Sequence, residues 1–154
     1  MTESVWDYPR PPRLEVSTRH LVVRHGGRML ADSSRNWRVL ETSHPPVYYL
    51  PRDDVAAGVL EPSAKRTFCE YKGEASYWHL RVGDELLRDA AWSYQEPTAG
   101  FAAIAGAVAF YASRVDECTV DGERVTPQPG DFYGGWITAD IVGPFKGEPG
   151  TSDW

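Results

Sequence analysis

Thr67-Phe68-Cys69-Glu70-Tyr71-Lys72-Gly73-Glu74-Ala75-Ser76-Tyr77-Trp78 is the stretch on which the reading of this chain turns. It gathers a thiol, an ammonium, two carboxylates and four aromatic rings, with Gly73 between its halves to supply a turn or a bulge. The second half runs on into strict alternation. Trp78, Leu80 and Val82 fall on one face of an extended segment, and Tyr77, His79 and Arg81 on the other. A period of two is the signature of a β-strand. Gly83-Asp84 then reads as a hairpin tip, with a return strand through Ala90-Ala91-Trp92-Ser93-Tyr94.

The same signals recur outward from this stretch. Toward the N-terminus, His20-Leu21-Val22-Val23-Arg24 turns through Gly26-Gly27 into Arg28-Met29-Leu30-Ala31. Trp37–Leu40 and Val47–Leu50 are short β runs around a His44-Pro45-Pro46 corner, and Arg52–Val55 is a turn or a short helical turn. Toward the C-terminus, Phe101 to Tyr111 fits both a helical stripe and a strand face. Strand is favoured from Gly106 onward, because Val, Phe and Tyr suit a pleated surface. Asp121-Gly122 marks a third hairpin. The fold class is therefore mainly β and antiparallel. The expected domain is residues 20–125, preceded by an extended Pro/Arg-rich arm over 1–19. It is followed by a Gly/Pro/aromatic tail over 126–154, which cannot make a core alone and packs on the domain or on a partner.

The totals narrow the function. A chain of 154 residues with 42% hydrophobic and 12% aromatic residues makes one domain with a core. A net charge of −6 argues against nucleic acid or an anionic membrane as the main partner, though not against a small anion met by a local Arg/Lys cluster. The first residues lack the basic and apolar runs of a signal peptide, and no run of about eighteen apolar residues occurs. The expected setting is cytoplasmic. Cys69 and Cys118 have no CxxC or Cys/His spacing, so they are expected to be reduced thiols; neither a metal nor a cofactor is expected.

Three pieces occur together: Glu41-Thr42-Ser43-His44-Pro45-Pro46-Val47-Tyr48-Tyr49-Leu50-Pro51-Arg52-Asp53-Asp54-Val55, then Cys69 to Trp78, then Ala90–Tyr94 with Ala105–Tyr111. Over about His20 to Cys118 this set resembles the domain of unknown function 427 family. The resemblance implies a small, strongly bent antiparallel sheet, β-tent-like or a partly open barrel, with no firmly attached reaction. A nucleotidyltransferase label travels with the family name, but the Gly-Ser plus paired-Asp pattern of such enzymes is absent here. The family motif reads Cys-Pro-Tyr-Lys-Gly. Glu70 stands here in place of the Pro, and a carboxylate beside Cys69 disfavours its thiolate.

The candidate residues each read two ways. Cys69, with Lys72 to stabilise a thiolate and His44 as base, forms a catalytic set; equally, Cys69 is a small buried residue and His44 a cap on the Pro-Pro corner. Lys72 and Arg52 suit an anion, or pair with Glu41, Asp53 or Glu74. Glu41 and Glu74 are candidate ligand-binding or acid/base carboxylates. Trp78, Trp92 and Tyr48, with Tyr71 or Tyr77, would wall an aromatic pocket or simply pack as core. Three functions follow. The first is a domain binding a small-molecule ligand through Trp78, Trp92, Tyr48, Arg52 and Lys72. The second is a thiol-dependent or acid/base transferase using Cys69. The third is an interaction module whose tail docks a partner or a second copy as a homodimer.

Overall fold

The structure is a computed structural model, and it describes residues 1–130 and 132–154; Asp131, in the expected tail, lies outside the described residues. Ten strands of three or more residues carry the fold: β1 (Arg13–Ser17), β2 (Leu21–His25), β3 (Arg28–Ser33), β4 (Asn36–Leu40), β5 (Val47–Tyr49), β6 (Leu60–Cys69), β7 (Gly73–Val82), β8 (Glu85–Ser93), β9 (Val108–Phe110) and β10 (Glu117–Val120). They form several small antiparallel sheets, and among the described residues none closes into a barrel. The hairpin tips at Gly26-Gly27, Gly83-Asp84 and Asp121-Gly122 each join paired strands.

Two sheets act as one layer. β6, β7, β8 and β9 make a meander, and β1, β4 and β5 make a second sheet. Leu50 and Val108 exchange both backbone hydrogen bonds at 2.8 Å each, which splices β5 to β9. The combined layer bends where its pairing slips. β6 carries extra residues between Pro62 and Arg66, and the β7–β8 register shifts between Trp78 and Leu80. At the second slip Asp89 takes a φ of 50°, and its N–H donates to His79 Nδ1 at 3.0 Å. Bulges at one level of adjacent pairs kink a sheet in one direction.

Alternation along these strands sends side chains to two cores. On one face Tyr48, Leu50, Leu80, Val82, Val108 and Phe110 pack against Leu21, Val23 and Leu30 of the β10–β2–β3 sheet. On the other face Val39, Tyr49, Ala75, Tyr77, Trp92 and Tyr111 form a second cluster.

The flanking segments are folded in. Expected as an arm, residues 1–19 contribute β1, paired along β4, and Glu3–Ser4, paired in parallel with Ile141–Val142. The buried Arg38 explains it, gripping both oxygens of Glu3 at 3.0 and 2.9 Å and also reaching Glu15. That fork holds the Glu3 carboxyl below its ordinary range, against a smaller opposing effect of burial. Phe101–Tyr111 divides: Ala99–Ile104 is a kinked 3-10 segment and only Val108–Phe110 is strand. Among the described residues no helix is long and apolar enough to cross a membrane.

From the C-terminal segment, Trp136 is 1% exposed within the first core, and its Nε1 donates to the Phe110 carbonyl at 3.0 Å. Trp136→Ala is therefore expected to cost about 3–5 kcal/mol in urea denaturation. A loss under about 1 kcal/mol would show that residues past 125 are not part of the domain's core.

Candidate functional site

The second face is not filled. A cavity of about 270 Å³ opens against it. Its floor is Tyr49 of β5, Tyr77 of β7, Trp92 of β8, and Tyr94 and Tyr111 beyond the strands. These rings are buried and interlocked. Trp92 lies 4.6 Å from Tyr111 and 6.3 Å from Tyr49, and its Nε1 donates to the Tyr49 hydroxyl at 3.3 Å. Burial, the main cause, pushes the phenols of Tyr49, Tyr94 and Tyr111 up, so these three stay uncharged at physiological pH.

One wall is the hairpin turn joining β6 to β7, residues 69–73. Gly73 takes a φ of 106°, which an L side chain adopts only with strain. The turn is clamped to the next loop: Thr98 N–H donates to the Lys72 carbonyl at 3.0 Å, and the Thr98 hydroxyl to the Tyr71 carbonyl at 2.6 Å. Lys72 is 9% exposed; its Nζ stands 5.8 Å from the Tyr94 ring centre and 5.9 Å from that of Phe101. Among the described residues its ammonium has neither a carboxylate nor a hydrogen-bond partner, so it faces the cavity with its charge unmet.

The opposite wall and the roof come from the Pro-Pro corner and the C-terminal segment. Glu41, His44, Gln128, Phe132, Tyr133, Gly134 and Lys146 line them. Gly134 lies directly on the Trp92 ring, where a Cβ would overlap the indole. The Lys146 ammonium stands 5.4 Å from the Tyr133 ring centre and likewise has no carboxylate partner among the described residues.

Gln128 settles the chemistry of His44. Its Oε1 accepts the Gly135 N–H at 3.0 Å, and its Nε2 donates to the Lys146 carbonyl at 2.9 Å, so the amide can face only one way. The Nε2 group's other contact is His44 Nδ1 at 3.1 Å, which must therefore accept. The imidazole proton then sits on Nε2, the nitrogen 3.9 Å from Glu41. Burial first, then the positive charges of Lys146, Arg10 and Lys72, push His44 down to about 4. His44 is thus a neutral donor, and its second nitrogen offers no base.

Of the residues singled out in the sequence, Cys69, Lys72, His44, Glu41 and Trp92 line this cavity, as do Tyr71 and Tyr77. Tyr48, Arg52, Glu74 and Trp78 do not: strand alternation turns Tyr48, Glu74 and Trp78 away, and Arg52 lies in the 3-10 turn Arg52–Asp54. Tyr48 faces the first core beside Trp136, at 5.5 Å between ring centres. Trp78 packs on that same core and donates to the Ser93 hydroxyl at 2.9 Å, while Arg52 stacks on its ring at 4.7 Å. Glu74 is exposed, 3.9 Å from Arg66. Glu41 pairs with Arg10 at 3.3 Å, so Glu41 and Glu74 are not partners in acid/base work. Gln128, Tyr133 and Lys146 were not singled out; only the tail's aromatic content hinted that it covers something. Cys69 and Cys118 are both free, in different cores. Among the described residues no cluster of three or more His, Cys, Asp or Glu could hold a metal ion.

Fold and site together define a bent antiparallel β domain with an aromatic-floored cavity on one face. The profile described as "Domain of unknown function (DUF427)" matches residues 13–121, and the chain belongs to that family. No curated protein matches the chain. The matched residues carry the floor, the hairpin turn and the Pro-Pro corner, whereas the roof, Gln128 to Lys146, lies beyond them.

An imidazole titrates near 6.5 in an unfolded chain and at about 4 here. Between those pH values the unfolded state binds more protons, so His44 makes stability fall as pH drops through the window, by about 3 kcal/mol when complete. His44→Gln is expected to flatten that part of a stability-versus-pH curve from chemical denaturation. An unchanged curve would mean that His44 is not held neutral.

Proposed function

We propose that this domain binds a small, flat, anionic molecule in the cavity. One observation carries the reading: Lys72, a residue only 9% exposed, turns its ammonium to an aromatic-floored hollow with no counter-ion among the described residues. Rings compensate a cation only in part, and an entering anion would pair with it directly. The uncharged floor suits stacking of a planar body, and His44 Nε2–H adds a neutral donor. A volume of about 270 Å³ lies just under the ~300–1,000 Å³ range of ligand clefts. It favours a compact metabolite over a dinucleotide or a polymer. Two reduced thiols suit a cytoplasmic setting.

A second reading is thiol chemistry at Cys69, favoured by its sharing the cavity with Lys72 and His44. In that case Lys72 would stabilise the thiolate and His44 would donate to a substrate oxygen rather than take a proton. It requires a Cys69 alkylation midpoint well below pH 8; a midpoint at or above the ordinary thiol value of about 8.5 removes it.

The binding reading is tested by thermal unfolding against a panel of aryl carboxylates and aryl phosphates. At least one compound is expected to raise Tm by several degrees at saturation. The rise should vanish in Lys72→Ala and persist in Arg52→Ala and Cys69→Ser. Retention in Lys72→Ala, or no rise with any compound, contradicts the proposal.

A further inference from the structure

We infer that the ligand of this cavity carries two negative charges, one met by Lys72 from the floor side and one by Lys146 from the roof. The inference rests on the binding reading above and names the class of anion.

Two ammoniums, not one, face this hollow without a carboxylate or hydrogen-bond partner among the described residues. The nearby Arg10 differs, since Glu41 meets it at 3.3 Å and the Thr42 carbonyl accepts from it at 2.7 Å. Glu70, the other carboxylate on the lining, is solvent-exposed. Both lysines line the cavity together with His44, and the positive charges of both act on its imidazole.

Neither lysine is carried by a segment free to swing aside. The Lys72 carbonyl is held by Thr98 N–H at 3.0 Å. Lys146 N–H donates to the Ser43 carbonyl at 2.9 Å, and its carbonyl accepts from Gln128 at 2.9 Å. Two ammoniums thus line one aromatic-floored hollow from segments whose backbones are held, and a dianion can pair with both. The size of the cavity limits that dianion to a compact one, a phosphate monoester or a dicarboxylate on a small planar frame. Lys72 lies inside the family-matched residues and Lys146 outside them.

The test is calorimetric titration of the full chain at about pH 8, where a phosphate monoester is doubly charged. The probes are phenyl phosphate, isophthalate, benzoate and benzamide. At least one of the two dianions is expected to bind about tenfold or more tightly than benzoate, and benzamide most weakly. The tighter of the two dianions tells whether both charges sit on one group or at two ends of the frame. Lys146→Met should weaken that dianion clearly more than benzoate, and Lys72→Met should weaken both. Salt gives a check independent of any variant, because the dianion's affinity should fall more steeply with added NaCl than that of benzoate. Benzoate binding as tightly as both dianions, or a dianion indifferent to Lys146→Met, overturns the inference and leaves the binding proposal standing. Failure of all four probes to bind overturns both.

Discussion

Two backbone hydrogen bonds between Leu50 and Val108 join the two halves of this fold's main layer. Without them β1, β4 and β5 would be a separate flap; with them, seven strands form one bent layer that has two sides. Each strand that crosses the layer must then divide its residues between those sides, because side chains alternate with a period of two. One side is closed by the β10–β2–β3 sheet and Trp136 and is solidly packed. Among the described residues the other side is covered by the 69–73 turn, the 3-10 segment Ala99–Ile104, the Pro-Pro corner and loops of the C-terminal segment, and there the cavity opens.

The electrostatics follow from that arrangement. Burial keeps the Tyr49 and Tyr94 phenols protonated, and with Trp92 they give the cavity an aromatic floor of mutually tilted rings. An amide locked by Gly135 N–H and the Lys146 carbonyl leaves His44 one tautomer, so its free nitrogen is a donor. Two lysines on pinned backbones complete a surface that offers positive charge and N–H groups to whatever enters. The roof is close-fitting, with Gly134 lying on Trp92 and Gly135 wedged against Pro45 and Gln128, where any side chain would collide.

Much of this was legible in the chain. The Gly-Gly, Gly-Asp and Asp-Gly tips announce their hairpins, and Trp78–Leu80–Val82 alternation marks a core face. Turn parity separates Trp78 from Trp92, which the sequence reading puts in one pocket. A two-residue turn at Gly83-Asp84 sets Val82 opposite Glu85, so every partner pair joins an even number to an odd one. Two even-numbered tryptophans therefore fall on opposite faces. What the turn could not give was the slip at Asp89, which brings Trp92 opposite Tyr77 rather than Ala75. Tyr48 and Tyr49 posed a similar choice on β5, and only the splice to β9 decides which of them sees the cavity. The roof was the least legible. Gln128 and Lys146 sit among Gly and Pro with no periodicity to read, and their positions come from contacts made across more than eighty residues of chain.

The central claim is that the two faces of one layer do different work, one packing and one binding. It is tested most directly by indole Nε1–H signals in a ¹H–¹⁵N NMR titration with benzoate. The Trp92 indole and the backbone amides of Lys72 and Gly73 should shift together with one affinity, while the indoles of Trp78 and Trp136 hold still. Movement of Trp78 with Trp92 unmoved would place the ligand on the wrong side of the sheet and contradict the account.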